Sequence, residues 1–390
     1  MNKLFWLKNP IASLAYLIFL FFFINIQICF ASVFASYPGT KAMSMAGAFT
    51  AVSDDASAVW YNPSGFADGT SSFICGFSQI SHIDEKDGPL NSEEKRMFVG
   101  INASYEEFGV GIFYFVPYAP KFWSYDEGLK DWAWGKSDEL IHIVSLPFAV
   151  SFLETNVKVG MTLEWVHLGF SDSQIYYRDK WNWSEDYLTP KSKADGISGS
   201  IGTLIKLTEA DEFFPFSINI GGTYRFSSTA KLESKILKKS EDKGVTRLFF
   251  DKPESFDIGI SSLSFLPSID SQFLVSFQYG KVDWSEIRPK SLDYDKVSFG
   301  FDFTVTKKDF MFKKMSLRGG YYISTPSYSD PDVWNWPDVT GVTYGIGLII
   351  GDTANSFCLD IAQERRTLDN YTSNYKRKKT LTSICVTWFF

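Results

Sequence analysis

The chain has 390 residues, 45% apolar, 17% aromatic and 21% charged, with a formal net charge of -7. Its 37 Phe, 19 Tyr and 12 Trp exclude intrinsic disorder, which goes with few aromatics and a strong charge imbalance. An acidic chain without a basic block is excluded as a phosphate-tracking nucleic-acid binder, and 3 His with 4 Cys leave little material for a metal centre or a nucleophile. No metal and no cofactor are expected.

Residues 1–35 open with Lys3 and Lys8, continue with the apolar run Ile11 to Phe23, and end in the small residues Ala31-Ser32 and Ala35-Ser36. That is the order of a secretory signal, with Val33-x-Ala35 the better cleavage site and Cys29-x-Ala31 the second. The competing reading is an uncleaved anchor of about twenty residues. Beyond residue 36 no stretch of eighteen apolar residues occurs, so the mature chain is expected to have no membrane-spanning helix. Residues 36–70 are rich in small residues and carry Asp54, Asp55 and the turn Asn62-Pro63-Ser64-Gly65. Asn-Pro favours a turn and small residues allow close packing, so the segment reads as compact and short-helical.

From residue 71 the period is two. Val297, Phe299, Phe301, Phe303 and Val305 alternate with Ser298, Gly300, Asp302 and Thr304, and Ile218, Ile220 and Tyr224 alternate with Asn219, Gly221 and Arg225. Alternate strand residues face opposite ways. Bulky aromatics on one face and Arg, Asp, Asn and Gly on the other suit a sheet between lipid and an enclosed interior better than a soluble sandwich. The pattern predicts fourteen strands: 71–80, 97–104, 108–116, 140–153, 156–169, 196–207, 215–236, 254–265, 273–284, 296–305, 315–324, 343–352, 356–365 and 380–389. Long connections follow the odd strands, among them 117–139, 170–195, 237–253 and 325–342, and shorter ones follow the even strands. This is the organisation of an all-β transmembrane antiparallel barrel of the bacterial outer membrane, with both termini on the short-turn, periplasmic side. The last strand sets Thr382, Ile384, Val386, Trp388 and Phe390 on one face, like the terminal strand that outer-membrane assembly machinery reads. Cys358 and Cys385 fall on the lumen side of neighbouring strands, where a bridge depends on register, and Cys75 falls on the lipid side.

The segment Ala46 to Ala67, with its Asn62-Pro63-Ser64-Gly65 turn, resembles the N-terminal plug of the FadL/TodX family of hydrophobic-compound transporters. Ser64 stands where that family has Ala. Four further passages resemble the family in the same order: Pro253 to Ile260, Val282-Asp283-Trp284-Ser285, Leu317 to Pro326 with Thr325 inserted, and Val342 to Gly347. The resemblance implies a signal peptide at 1–35, a plug or hatch at 36–70 with Asp54, Asp55, Asn62, Pro63 and Gly65 as its motif, and a barrel at 71–390. It also implies capture of a long-chain fatty acid or aromatic hydrocarbon by outer loops, lumen binding, plug movement and lateral exit through the wall.

Exposed aromatics in long connections can grip apolar ligands. Phe122, Trp123, Trp132 and Trp134 in 117–139, Tyr176, Tyr177, Trp181 and Trp183 in 170–195, and Trp334 with Trp336 in 325–342 are such candidates. The equal alternative is an aromatic belt at the membrane interface, or packing among the loops. Lumen-facing Arg225 and Arg318 suit a ligand carboxylate, or else pair with lumen and plug acids such as Asp302, Asp54 or Asp55. Gly109 and Gly111 mark the third strand for a kink. The partners expected are membrane lipids, a hydrophobic small molecule and, through Phe390, the assembly machinery, but no nucleic acid; the chain is expected to be a monomer. Enzyme chemistry is not expected, since His82, His142 and His167 are scattered and no nucleophile elbow accompanies them. The rival function is a plugged barrel that docks a secretion or surface-attachment machine.

Overall fold

The computed structural model describes residues 38–67, 70–82, 94–118, 121–126, 131–136, 141–152, 156–170, 174–179, 182–188, 192–209, 215–228, 234–237, 245–246, 254–283, 293–306, 312–327, 338–352, 355–370 and 375–390. The signal expected at 1–35, and Trp181, Trp334 and Trp336, lie outside them. The strands are β1 (Ser72–His82), β2 (Glu94–Tyr105), β3 (Phe108–Tyr118), β4 (Lys121–Asp126), β5 (Asp131–Lys136), β6 (Ile141–Phe152), β7 (Val157–Phe170), β8 (Gln174–Asp179), β9 (Asn182–Leu188) and β10 (Ser192–Thr208). They continue with β11 (Phe216–Arg225), β12 (Ser234–Leu237), β13 (Val245–Thr246), β14 (Glu254–Leu266), β15 (Ser271–Asp283), β16 (Asp293–Thr306), β17 (Phe312–Ser327), β18 (Asp338–Asp352), β19 (Asn355–Asn370) and β20 (Tyr375–Phe389).

Fourteen of these strands close a barrel in the order β1-β2-β3-β6-β7-β10-β11-β14-β15-β16-β17-β18-β19-β20. Every neighbouring pair is antiparallel, and closure comes from β1 against β20, with Ser72 opposite Phe389 and Cys75 opposite Val386. Closure removes the unpaired edge that an open sheet would leave. The alternation read from the sequence holds. Along β7, Val159, Met161, Leu163 and Trp165 are outward and exposed, while Thr162, Glu164 and Val166 are inward and buried. Large apolar side chains are thus displayed round the outer wall, including Phe73, Ile201, Ile258, Phe277 and Trp388. A soluble sheet would cover such a surface, whereas a sheet in lipid displays it.

Three expectations are corrected. The strand predicted over 215–236 ends at Arg225. The long connections 117–139, 170–195 and 237–253 are not irregular: they hold β4, β5, β8, β9 and β13, which join β12 in a second, six-stranded sheet of order β13-β12-β9-β8-β5-β4. The strands form because each connection finds backbone partners in another one, with β5 pairing β8 across two connections. No local pattern announces such a meeting. Finally, several barrel strands run past their apolar stretch, as β20 does by starting at Tyr375 rather than 380. Charged residues such as Lys378 still pair there, with Thr367 of β19, because a ladder needs backbone groups and not apolar side chains.

Inside the barrel lies the segment 38–67, built from helix α1 (Thr40–Ser44), helix α2 (Ala58–Tyr61) and a 3-10 turn (Pro63–Phe66). Neither helix exceeds five residues. Helices this short are not stable alone, and the wall supplies what they lack. Side chains from strands all round the barrel reach the segment's backbone: Thr223 donates to the Tyr61 carbonyl at 2.7 Å, Ser261 to Ala51 at 2.8 Å and Thr343 to Ser44 at 2.8 Å. From β15, the Gln278 carbonyl oxygen accepts the N–H groups of Phe49 at 2.9 Å and Thr50 at 3.0 Å.

Candidate functional site

The lumen is the candidate site, and the Asn62-Pro63 turn is packed in it against β7 and β10. Asn62 is fully buried. Its amide nitrogen donates to the carbonyls of Thr50 (2.9 Å) and Thr203 (2.8 Å), and its Oδ1 accepts from the Ser64 backbone N–H (3.2 Å) and hydroxyl (2.7 Å). One side chain therefore caps its own turn, ties it to the preceding loop and fastens both to β10. Pro63 starts the 3-10 turn, where its missing N–H costs nothing. The wall has glycine where the turn touches it: a Cβ at Gly202 would overlap Asn62 Oδ1, and one at Gly160 would overlap the Pro63–Ser64 peptide. Gly65 is held the same way against the Ser53 carbonyl. Ser64, where the resembled family has Ala, spends its hydroxyl on Asn62.

Two unlike walls face this segment. On β2, β3, β6 and β7 the lumen is lined by Phe98, Phe113, Phe115, Ile143 and Val166, all buried. Phe98 and Phe113 stack at 5.9 Å between ring centroids, and Trp60 of the segment meets Phe115 edge-on at 5.4 Å. Near the short-turn end, Phe66 packs on Phe113 at 5.5 Å and its carbonyl accepts from Ser104 at 3.1 Å. The β11–β19 side is charged instead. Arg318 donates to Asp302 at 2.7 Å and also to Asp360. Arg225 pairs with Asp257 at 2.5 Å, donates to the Trp60 carbonyl at 2.8 Å and lies 5.4 Å from the Trp60 ring centroid. Arg366 pairs with Glu364, which also accepts from the Tyr322 hydroxyl at 2.6 Å. Lys296 donates to the Ala46 carbonyl at 3.0 Å and sits 4.4 Å from the Tyr322 ring centroid. A buried charge is costly unless paired and hydrogen-bonded, and each of these four cations has a hydrogen-bonded partner.

Of the two roles open to the lumen arginines, the structure shows both engaged by protein acids: Arg318 by Asp302, as the sequence allowed, and Arg225 by Asp257. Asp54 pairs with Lys41 instead, at 2.6 Å. Burial lowers the Lys41 pKa, but the carboxylates of Asp54, Asp302 and Asp55 together outweigh burial and the Arg318 charge, and the ammonium is raised to about 12. Asp55 accepts the Ser57 N–H at 2.8 Å and the Ser57 hydroxyl at 2.5 Å. Burial, then the charge of Asp54, push its carboxyl up to about 6, against the opposing pull of Lys41 and Ser57. Cys358 and Cys385 are both buried and free: register sets Cys385 opposite Asp360 and Cys358 opposite Thr387, a diagonal rather than facing pair.

The aromatic candidates of the connections fall in the second sheet. Register puts Trp123 opposite Trp134 and Phe122 opposite Gly135 in β4–β5, Trp132 opposite Tyr125, Trp134 opposite Tyr176 in β5–β8, and Tyr177 opposite Ser184 and Trp183 opposite Arg178 in β8–β9. Gly109 and Gly111 lie on β3 beside a fault in the wall. The β3–β6 ladder pairs Val110 with Phe148 and Phe113 with Ser145, and between them Gly111 and Ile112 have no partner on β6. Continuing the register would put Gly111 opposite Pro147, which has no N–H to give. Sequence reasoning missed Lys41, Asp257, Gln278 and Asp360, whose strand parity alone would have put the last three in the lumen. It also missed that two of its scattered histidines meet. His142 pairs with His167, the Tyr114 hydroxyl lies 2.6 Å from His142 Nδ1, and Asp195 lies 2.7 Å from His167 Nδ1, all on the outward face.

No protein-family model matches the sequence, and no curated protein matches it. Solved structures do. The CymD monoaromatic hydrocarbon channel superposes with a TM-score of 0.60 at 14% identity, over 93% of this chain and 99% of that one. A FadL homologue of Pseudomonas aeruginosa gives 0.58 at 11% identity, over 93% and 100%. The P. putida toluene transporter TodX gives 0.55 at 12% identity, over 90% and 98%. At such identities the likeness is one of fold, and the chain has the fourteen-strand barrel fold of the FadL-like channels.

Proposed function

We propose that the protein is an outer-membrane transporter that takes up hydrophobic small molecules. The carrying observation is the division of the lumen. One wall carries an apolar cluster of Phe98, Phe113, Phe115, Ile143 and Val166, bordered by the buried polar Ser145, Thr162 and Glu164, and against the cluster the segment 38–67 lays Trp60 and Phe66. The described lumen arginines are committed to Asp257, Asp302, Asp360 and Glu364. An apolar ligand gains by following the first wall, and an anionic head would have to displace a protein carboxylate on the second. That favours uncharged aromatic hydrocarbons over long-chain fatty acid anions. In this reading the segment 38–67 is a plug that stops free diffusion, and the ligand is taken by the outer connections and bound along the apolar wall. It then leaves sideways where β3 and β6 lose their ladder, because a molecule that partitions into hydrocarbon gains nothing by crossing water. The exposed outer wall and the terminal aromatic strand, where the Phe390 N–H closes on the Ser71 carbonyl at 3.1 Å, support insertion by the outer-membrane assembly machinery. CymD and TodX, described as a monoaromatic hydrocarbon channel and a toluene transporter, are consistent with this substrate class.

The test is uptake of radiolabelled toluene and of a labelled long-chain fatty acid by cells with and without the protein, at substrate concentrations low enough that passive entry does not mask it. Faster toluene entry that depends on the protein is expected. Equal rates for both compounds with and without it would end the proposal, and a gain confined to the fatty acid would reverse the choice of substrate.

A further inference from the structure

The second sheet has two chemically opposed faces. Register fixes which positions share a face, because residues opposite one another across a ladder lie on the same side and residues two apart on a strand do too. One lateral row joins Trp123, Trp134, Tyr176 and Glu185. The row beside it joins Lys121, Lys136, Gln174, Tyr187 and Leu237. On the same face fall the pairs Tyr125–Trp132 and Arg178–Trp183, and, through Leu237, Lys235 of β12. The opposite face holds Asp126, Asp131, Asp179 and Asp186, with Phe122, Ser124, Ala133, Ile175, Tyr177 and Ser184. The first face therefore carries Lys121, Lys136, Arg178 and Lys235 against Glu185 alone, together with four Trp and three Tyr positions. The second carries four Asp and no cation. The alternation runs through four separate strands (Lys-x-Trp-x-Tyr in β4, Trp-x-Trp-x-Lys in β5, Gln-x-Tyr-x-Arg in β8, Trp-x-Glu-x-Tyr in β9), so it is a property of the sheet and not of one hairpin.

We propose that the aromatic and basic face binds an anionic polysaccharide. Charge complementarity calls for an acidic partner. The aromatic rows call for flat apolar surfaces such as the faces of pyranose rings. Strands lie about 4.8 Å apart, close to the length of one sugar unit, so an extended chain laid across β4, β5 and β8 meets an aromatic position at each step along Trp123, Trp134 and Tyr176. Gln174 and Glu185, set among the aromatics, suit sugar hydroxyls and do not suit hydrocarbon. That weighs against a lipid surface or a hydrophobic substrate as the occupant. The sheet is made wholly from long connections, which places it at the end of the barrel away from both termini. The assignment does not rest on the transport reading.

The experiment uses the full barrel reconstituted in nanodiscs of zwitterionic lipid, with polygalacturonate as the probe and uncharged dextran as its control. Polygalacturonate is expected to bind, and its binding to weaken as salt rises, because salt screens attraction between opposite charges. Binding should fall at least tenfold in Trp183→Ala and in the double variant Lys136→Gln/Arg178→Gln. Asp131→Asn, on the opposite face, should bind as the parent does. Heat-modifiable migration of each variant in gels confirms that the barrel has assembled. Dextran binding as tightly as polygalacturonate, no binding of either, or an equal loss in Asp131→Asn would each overturn the proposal.

Discussion

At Asp55 a single carboxyl reports on how tightly the segment 38–67 is clipped together. Residues 39–41 lie against 54–57, with Lys41 on Asp54 and a Cβ at Gly39 overlapping Ser57. Burial and the neighbouring Asp54 charge disfavour ionised Asp55, so its native pKa, about 6, is above the ordinary aspartate value of 3.8. A raised acid pKa means that the native state holds the proton more tightly than the unfolded chain does. The stability linked to Asp55 is therefore complete below about pH 4, is lost as pH rises to about 6, and changes little above. The shift corresponds to at most about 3 kcal/mol. Asp55→Asn keeps the oxygen that accepts from Ser57 and removes the charge. Thermal unfolding followed between pH 4 and 8 should show the wild type losing stability relative to this variant through the pH 4–6 window. Parallel pH profiles for the two proteins would rule the account out. Lys41, raised to about 12, acts only at more alkaline pH.

Among the elements, β3 and β6 differ from the other neighbours in the barrel by a ladder that stops between Val110 and Phe113 and resumes in the same register. Pro147 can donate no backbone hydrogen bond, and Gly111 has no side chain to fill the space. Phe113 lies across it, since a Cβ at either Gly100 or Gly111 would overlap its ring. Pro147→Val restores the missing N–H in a residue suited to strands. Amide hydrogen exchange should then slow at residues 110–113 and 145–148, and substrate uptake should drop several-fold while the barrel still assembles. Unchanged uptake alongside slowed exchange would show that the fault in the ladder is not the exit. Gly109 and Gly111 singled out β3 in the sequence, but the proline that falls opposite Gly111 was not singled out with them. What joins the two observations is register, which depends on how strands meet.

For the whole molecule the decisive arrangement is a barrel with the segment 38–67 packed against the inside of its wall. Side chains of β11, β14, β15, β16 and β18 and backbone of β10 and β17 bond or abut that segment, and apolar side chains of β2, β3 and β6 line the facing side. A fourteen-strand barrel without such filling encloses a lumen. Deleting residues 38–67 is expected to convert a protein of negligible conductance in planar bilayers into an ion-conducting pore. Equal conductance before and after deletion would show that the segment does not block the passage. The two-sided lumen also rationalises composition: the 17% aromatic content is shared between the outer wall, the apolar inner wall and the second sheet, three surfaces that a soluble domain of this size would not need.

Strand number, strand parity and the sidedness of the long connections were fixed locally, because alternation is a property of consecutive residues and the pleat translates it directly into faces. Met161 and Trp165 outward, Glu164 and Arg318 inward, and the terminal aromatic face of β20 could all be read from order alone. The second sheet, the pairing of Arg225 with Asp257 and of His142 with His167, the diagonal offset of Cys358 and Cys385, and the gap opposite Pro147 came only from the tertiary structure. Each of these depends on which residues of two strands distant in sequence lie side by side, and a shift of two positions would preserve every face while changing every partner.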